Sequence, residues 1–219
     1  MKLTSQVKNL IIKEITLEWR SKYALNGILL YVVSTVFVCF LSFKSTPPLV
    51  WNALFWIIML FAAINAIAKS FMQESKGRLL YYYQLASPVA IILSKIIYNI
   101  ALMLFMASIA FIFYNIVFDN PIEDIPLYLL SVFIGAFSFS TVFTMISAIA
   151  SKAGNNATLM AILSFPVIIP LLILIIKLSK NAMDGLDRSV SYDEIAILGA
   201  INLIVLAVSL LLFPYLWRD

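Results

Sequence analysis

Six apolar runs, each long enough to cross a bilayer, decide what this chain can fold into. They lie at roughly 24–43, 50–68, 89–117, 126–150, 157–177 and 195–216 of 219 residues. A membrane-spanning helix needs about 20 mostly apolar residues, whereas strands of a membrane barrel alternate with period two. None of the runs alternates, so all six read as helices. The third and fourth are long and imply tilt or an interfacial extension. With 63% of its residues hydrophobic and 12% charged, the chain has too little polar surface to cover a soluble globule. The predicted fold class is an all-α integral membrane protein, one transmembrane domain over 1–219 with six transmembrane helices.

Charge sets the expected orientation. With a cytoplasmic N-terminus, the inside segments hold eleven Lys and Arg against four acidic residues, a net of +7. The outside segments hold four Lys and Arg against seven acidic residues, a net of −3. The positive-inside rule therefore predicts a multi-pass protein with both termini cytoplasmic. Residues 1–22 carry seven charges and no compact apolar core before a small-residue cleavage site, so the first span is expected to serve as an uncleaved anchor.

Within residues 1–23, Leu3, Val7, Leu10, Ile11, Ile15 and Trp19 recur at helical spacing, which predicts an amphipathic interfacial helix. Glu14 and Glu18 fall on or beside that apolar face, and Arg20 follows. Two carboxylates facing lipid would be costly. Either this face meets a basic protein partner, or the helix rolls to keep them wet. The expected outside loop 178–194 has mixed charge and a glycine, Gly185, and reads as a short surface helix.

Between the second and third spans lies the long polar island of the chain, residues 69–88. It carries Lys69, Glu74, Lys76, Gly77 and Arg78, then Leu79, Leu80 and Tyr81 to Tyr83, and ends at Ser87 and Pro88. The charge count places it in the cytoplasm, where a soluble partner could grip it. The tyrosines fit an interfacial aromatic belt, or stacking on a flat ligand.

Polar residues inside the spans are functional candidates. The fourth span has a ladder of Ala136, Ser140, Thr144 and Ala148, each four apart. Small residues let helices approach closely, so the ladder fits packing within the protomer, a subunit interface or the lining of a substrate path. Pro166 and Pro170 delete two backbone donors in the fifth span, marking a kink, a hinge or a re-entrant element. Asn65 and Asn99 sit within spans two and three, and Lys95 lies where it can snorkel to the cytoplasmic face.

The chain has no histidine and one cysteine, Cys39, in an apolar run. This removes the commonest metal ligand, general base and haem axial ligand, and any disulfide within the chain. No phosphate-cradling glycine loop, zinc spacing or nucleophile–base pair appears. No enzymatic activity, metal site or nucleic-acid partner is expected. Any ATP-driven role requires hydrolysis by another subunit.

The order of these features resembles a known family. A charged N-terminal helix precedes span one, and the island carries an acidic residue, a glycine, leucines and Ser87-Pro88. Lys95 follows near the start of span three, and Lys152-Ala153-Gly154 ends span four. Then come Pro166-x-x-x-Pro170-Leu171-Leu172 and Ala196-Ile197-Leu198-Gly199-Ala200. The island resembles the wider ABC-2 type permease class. The double-proline span and the opening of the last span resemble the CcmB family, the haem exporter B permease of cytochrome c maturation. Where that family often has an acid after glycine-x-leucine, this chain has Leu80.

The resemblance implies a permease subunit in the inner membrane, paired with a CcmA-like ATPase and acting with CcmC-, CcmD- and CcmE-like proteins. ATP would enter only through the ATPase. Haem would be a substrate, moved or released on its chaperone, rather than a bound cofactor. Six spans are half of a usual ABC membrane core, which implies a homodimer. Glu74, Lys76, Gly77, Arg78, Leu79 and Pro88 would then form the ATPase-coupling segment. An ABC-2 type exporter of another lipid-like or drug-like cargo, or a membrane scaffold unrelated to ABC transporters, stand as the alternatives.

Overall fold

The computed structural model describes residues 2–21, 23–43, 46–67, 69–72, 85–152 and 157–218. Eight α-helices and one 3-10 turn account for the described residues, without a strand among them. They are α1 (Leu3–Ser21), α2 (Tyr23–Ser42), α3 (Pro48–Ile67), the single turn α4 (Lys69–Met72), α5 (Pro88–Val117), α6 (Ile125–Lys152), α7 (Ala157–Met183), the 3-10 turn Arg188–Ser191 and α8 (Tyr192–Arg218).

Five of the described helices are long and apolar enough to cross a membrane: Pro48–Ile67, Pro88–Val117, Ile125–Lys152, Ile162–Met183 and Arg188–Leu216. The apolar stretch Asn26–Ser42 within α2 is shorter. The chain is therefore a multi-pass, all-helical membrane protein.

Local chemistry explains the helix ends. Ser87 is extended and its hydroxyl accepts from the Ala90 N–H, while Pro88 opens α5 at a position where a missing N–H costs nothing. Asp124 accepts from the Leu127 N–H at the start of α6. Gly185, at φ 60°, terminates α7 in the left-handed region that glycine tolerates.

α7 extends beyond the expected end at 177, because Leu178, Ala182 and Met183 pack inward while Lys177 and Lys180 point outward. The expected loop 178–194 shrinks to a few residues around the 3-10 turn. Both Pro166 and Pro170 lie inside α7, which is assigned as one helix from Ala157 to Met183.

α6 is the centre of the bundle, packed against α3, α4, α5, α7 and α8. Ala136, Ser140, Thr144 and Ala148 are all buried there, as small residues at close helix crossings should be. Among the described residues the apolar interior forms two clusters. The larger runs through the bundle around Trp51, Phe55, Trp56 and Phe143. The smaller, Phe71, Ile91, Ile92, Ile96, Ala148 and Phe213, closes the end of the bundle where α4 and the start of α5 lie. Leu10 of α1 packs on this second cluster, so the N-terminal helix and the far end of α8 share that end of the molecule.

Candidate functional site

The end of the bundle that carries α4 is organised around one buried cation. Lys95 is 2% exposed, about two turns into α5. A lone lysine deep in a membrane helix costs about 2.5–3.5 kcal/mol, so it must find partners. Its Nζ donates to Glu14 Oε1 of α1 at 3.2 Å and to the Ser70 carbonyl of α4 at 2.5 Å. It also lies 4.7 Å from the centre of the Phe71 ring, a cation–π contact sheltered from water. One side chain thereby joins three helices. The expectation that Lys95 snorkels outward is corrected: α1 and α4 bring an acid and a carbonyl to it, so it stays inside.

Glu14 is 15% exposed and contacts Lys13 at 2.9 Å as well as Lys95. Burial pushes its carboxyl up, but the two lysines outweigh burial and hold it below the usual glutamate range. One turn on, Glu18 is half-buried and lies near Tyr98 of α5. Glu14 thus finds two cations within the chain, Lys13 of α1 and Lys95 of α5. The apolar face expected for α1 is split. Val7 is buried and Leu10 and Ile11 are half-buried, whereas Leu3, Ile15 and Trp19 stay exposed, Trp19 at 76%. Arg20 is exposed.

A hydrogen-bonded layer lies beneath Lys95. The Asn99 amide donates to Thr144 Oγ1 at 2.7 Å and Ser70 Oγ at 3.3 Å, and the Ser140 hydroxyl donates to the Asn99 carbonyl at 3.0 Å. The Phe71 N–H reaches Ser147 Oγ at 3.4 Å, and the Phe71 ring packs 5.4 Å from that of Phe213. The first turn after α3 is therefore fixed to α5, α6 and α8 together. Its other flank is fixed as well: Gln6 Oε1 of α1 accepts from both the N–H and the hydroxyl of Ser87, at 3.2 and 3.1 Å.

The residue pattern of the whole chain identifies the setting: residues 5–216 match the family model described as CcmB protein. The chain belongs to the CcmB family. CcmB proteins are permease subunits of the haem-exporter ABC system of cytochrome c maturation, and not enzymes themselves. They normally work with a CcmA ATPase. Neither the curated proteins nor the solved structures gave a match.

In this CcmB chain, Glu74, Lys76, Gly77, Arg78 and Leu79 lie outside the described residues. What the structure describes is the frame around them, with α4 on one side and Ser87-Pro88 on the other. Ser140 and Thr144 are brought together on Asn99, facing α5 within the same chain. Among the described residues no group of acidic or cysteine side chains has the arrangement of a metal site.

A second polar cluster sits at the opposite end, and sequence reasoning missed it. Trp56 Nε1 donates to Ser179 Oγ at 2.8 Å, and the Ser179 hydroxyl reaches Asn52 Oδ1 at 2.9 Å. The Asn52 amide donates to the Ile176 carbonyl at 3.1 Å, and the Tyr114 hydroxyl to the Trp51 carbonyl at 3.1 Å. The rings of Trp51, Phe55, Tyr114 and Tyr128 pack around it, Trp51 and Phe55 stacked and the other pairs edge-on or tilted. The available signal was weak: one Asn and one Ser in separate apolar runs, each ordinary alone. Outside this cluster, Arg188 grips Asp124 through two nitrogens at 2.7 and 3.0 Å, and Lys177 pairs with Glu194 at 2.6 Å.

Proposed function

We propose that this chain is the membrane half of an ATP-driven exporter serving c-type cytochrome assembly, with residues 69–88 as the segment gripped by a CcmA-like ATPase. The observation that carries the coupling claim is the Lys95 junction, which fixes the first turn of that segment to α1 and α5 while its last residues are held at Ser87. A segment that receives force from a soluble partner needs such anchoring, because a push on a free loop would be dissipated in the loop.

In this reading the chain crosses the inner membrane six times, α2 being the additional span, with both termini and residues 69–88 in the cytoplasm. Two copies form the membrane core and act with CcmC-, CcmD- and CcmE-like partners. ATP is hydrolysed in the partner, and haem is cargo, passed across or released on its chaperone. With no histidine in the chain, porphyrin contacts by this subunit would be aromatic, Met or Tyr contacts.

The test is a mild-detergent pull-down of the wild-type chain and of Glu74→Ala and Arg78→Ala variants. The ATPase is expected to co-purify with the wild type and to be weakened or uncoupled by either change. Unchanged co-purification and unchanged ATPase stimulation in both variants would contradict coupling through this segment.

A further inference from the structure

α1 holds the coupling segment at both of its flanks, through two unrelated contacts. At the leading flank, Glu14 reaches Lys95, which in turn binds the Ser70 carbonyl and faces Phe71. At the trailing flank, Gln6 accepts both the N–H and the hydroxyl of Ser87. Gln6 and Glu14 both reach the bundle from α1, and between them Val7 is buried and Leu10 packs on the second apolar cluster. A helix that only rested on the membrane surface would need none of these polar contacts, and it would have no reason to place acids against the bundle.

We propose that α1 is a clamp for the two flanks of the coupling segment: it grips residue 70 through Glu14 and Lys95 and residue 87 through Gln6, so that α1, these two flanks and α5 move together. This proposal rests on the ATPase-docking role given above and adds the transmitting element to it. Lys95 is a positioning residue here. It keeps the backbone of the first turn fixed to two helices. The geometry also separates the roles of the groups. Lys95 cannot exchange charges with Glu14, because an acid at 95 would face the Ser70 carbonyl, which accepts but does not donate. The charge-reversed pair is therefore expected to fail where a simple ion pair would tolerate it.

The experiment uses the full chain co-expressed with its ATPase in cells that assemble c-type cytochromes. Glu14→Gln, Gln6→Leu, the two combined, and the charge-reversed pair Glu14→Lys with Lys95→Glu are compared with Lys8→Gln on the exposed side of α1. The amount of co-purified ATPase and the haem-stained c-type cytochromes are both measured. The combined variant is expected to keep the ATPase within about twofold while haem staining falls roughly tenfold, a size usual for coupling between sites. Lys8→Gln is expected to leave both unchanged. Where the combined variant does not accumulate, Gln6→Ala is measured alone, because it loses only hydrogen bonds at a half-buried surface.

Normal haem staining in the clamp variants would overturn the proposal. So would parallel loss of ATPase and staining, since α1 would then merely build the docking surface. Restoration by the charge-reversed pair would overturn the part assigned to the Ser70 carbonyl. Failure of the docking role itself looks different: Glu74→Ala and Arg78→Ala would then keep the ATPase and its stimulation.

Discussion

Trp56 lies so close over Gly135 that a Cβ added at position 135 would come within 2.5 Å of the indole ring. Trp56 is fully buried and is held in place by its bond to Ser179, so it has no room to withdraw. Gly135→Ala is expected to destabilise the protein by about 1–3 kcal/mol, the usual cost of overpacking a filled interior. Adding Trp56→Phe should recover part of that loss, because the smaller ring frees the space. Thermal unfolding in detergent of the two single variants and the double variant checks this, and strictly additive losses would show that the two residues do not meet.

Asn52 joins three partners, accepting from Ser179 and donating to the Ile176 carbonyl, with the Tyr128 hydroxyl 3.5 Å from its oxygen. Asn52→Leu removes these bonds and takes the acceptor from the buried Tyr128 hydroxyl, while Ser179 keeps its bonds to Trp56 and the Ile175 carbonyl. The expected loss is about 1–3 kcal/mol, the cost of buried polar groups without partners. The melting temperature should drop, and a melting temperature equal to wild type would show that the cluster is dispensable.

The clasp between Asp124 and Arg188 makes a pH-dependent prediction. The Arg188 guanidinium, with help from the Leu127 N–H, holds the Asp124 carboxyl below the usual aspartate range. A carboxylate with a lowered pKa in the folded protein contributes stability above its unfolded value, and the contribution is lost as pH falls through the folded value. The clasp should therefore persist at neutral pH and open only below the ordinary aspartate pKa of about 3.9. Limited proteolysis near residues 184–191 at graded pH follows the opening. Asp124→Asn should show faster cleavage already at neutral pH, and cleavage indistinguishable from wild type would count against the clasp.

The bundle was largely legible in the sequence because lipid leaves the backbone few choices. Apolar length and the absence of alternation point to helices before any contact is known. What hydropathy misses is the direction of a side chain. Lys177 and Lys180 look like loop charges, yet they ride the outward side of a helix whose inward side, Leu178 and Ala182, is buried. The Lys95 site was legible only in part. A lysine inside a span announces that it needs a partner, and two glutamates on the apolar side of α1 announce the same. That they answer one another across 81 positions is a property of the fold, and no helical period carries it. Asn99, read as a lone polar residue, gains its meaning from Thr144 and Ser70 in the same way.

The proposed role of this CcmB chain is to serve c-type cytochrome assembly through an anchored cytoplasmic segment. The most direct measurement is haem staining of c-type cytochromes in a deletion strain, complemented with the wild-type chain or with Lys95→Met. No haem-stained c-type cytochromes are expected without the chain, full recovery with wild type, and recovery reduced roughly tenfold with Lys95→Met at equal expression, as when coupling between sites is cut. Normal c-type cytochromes in the deletion strain would contradict it.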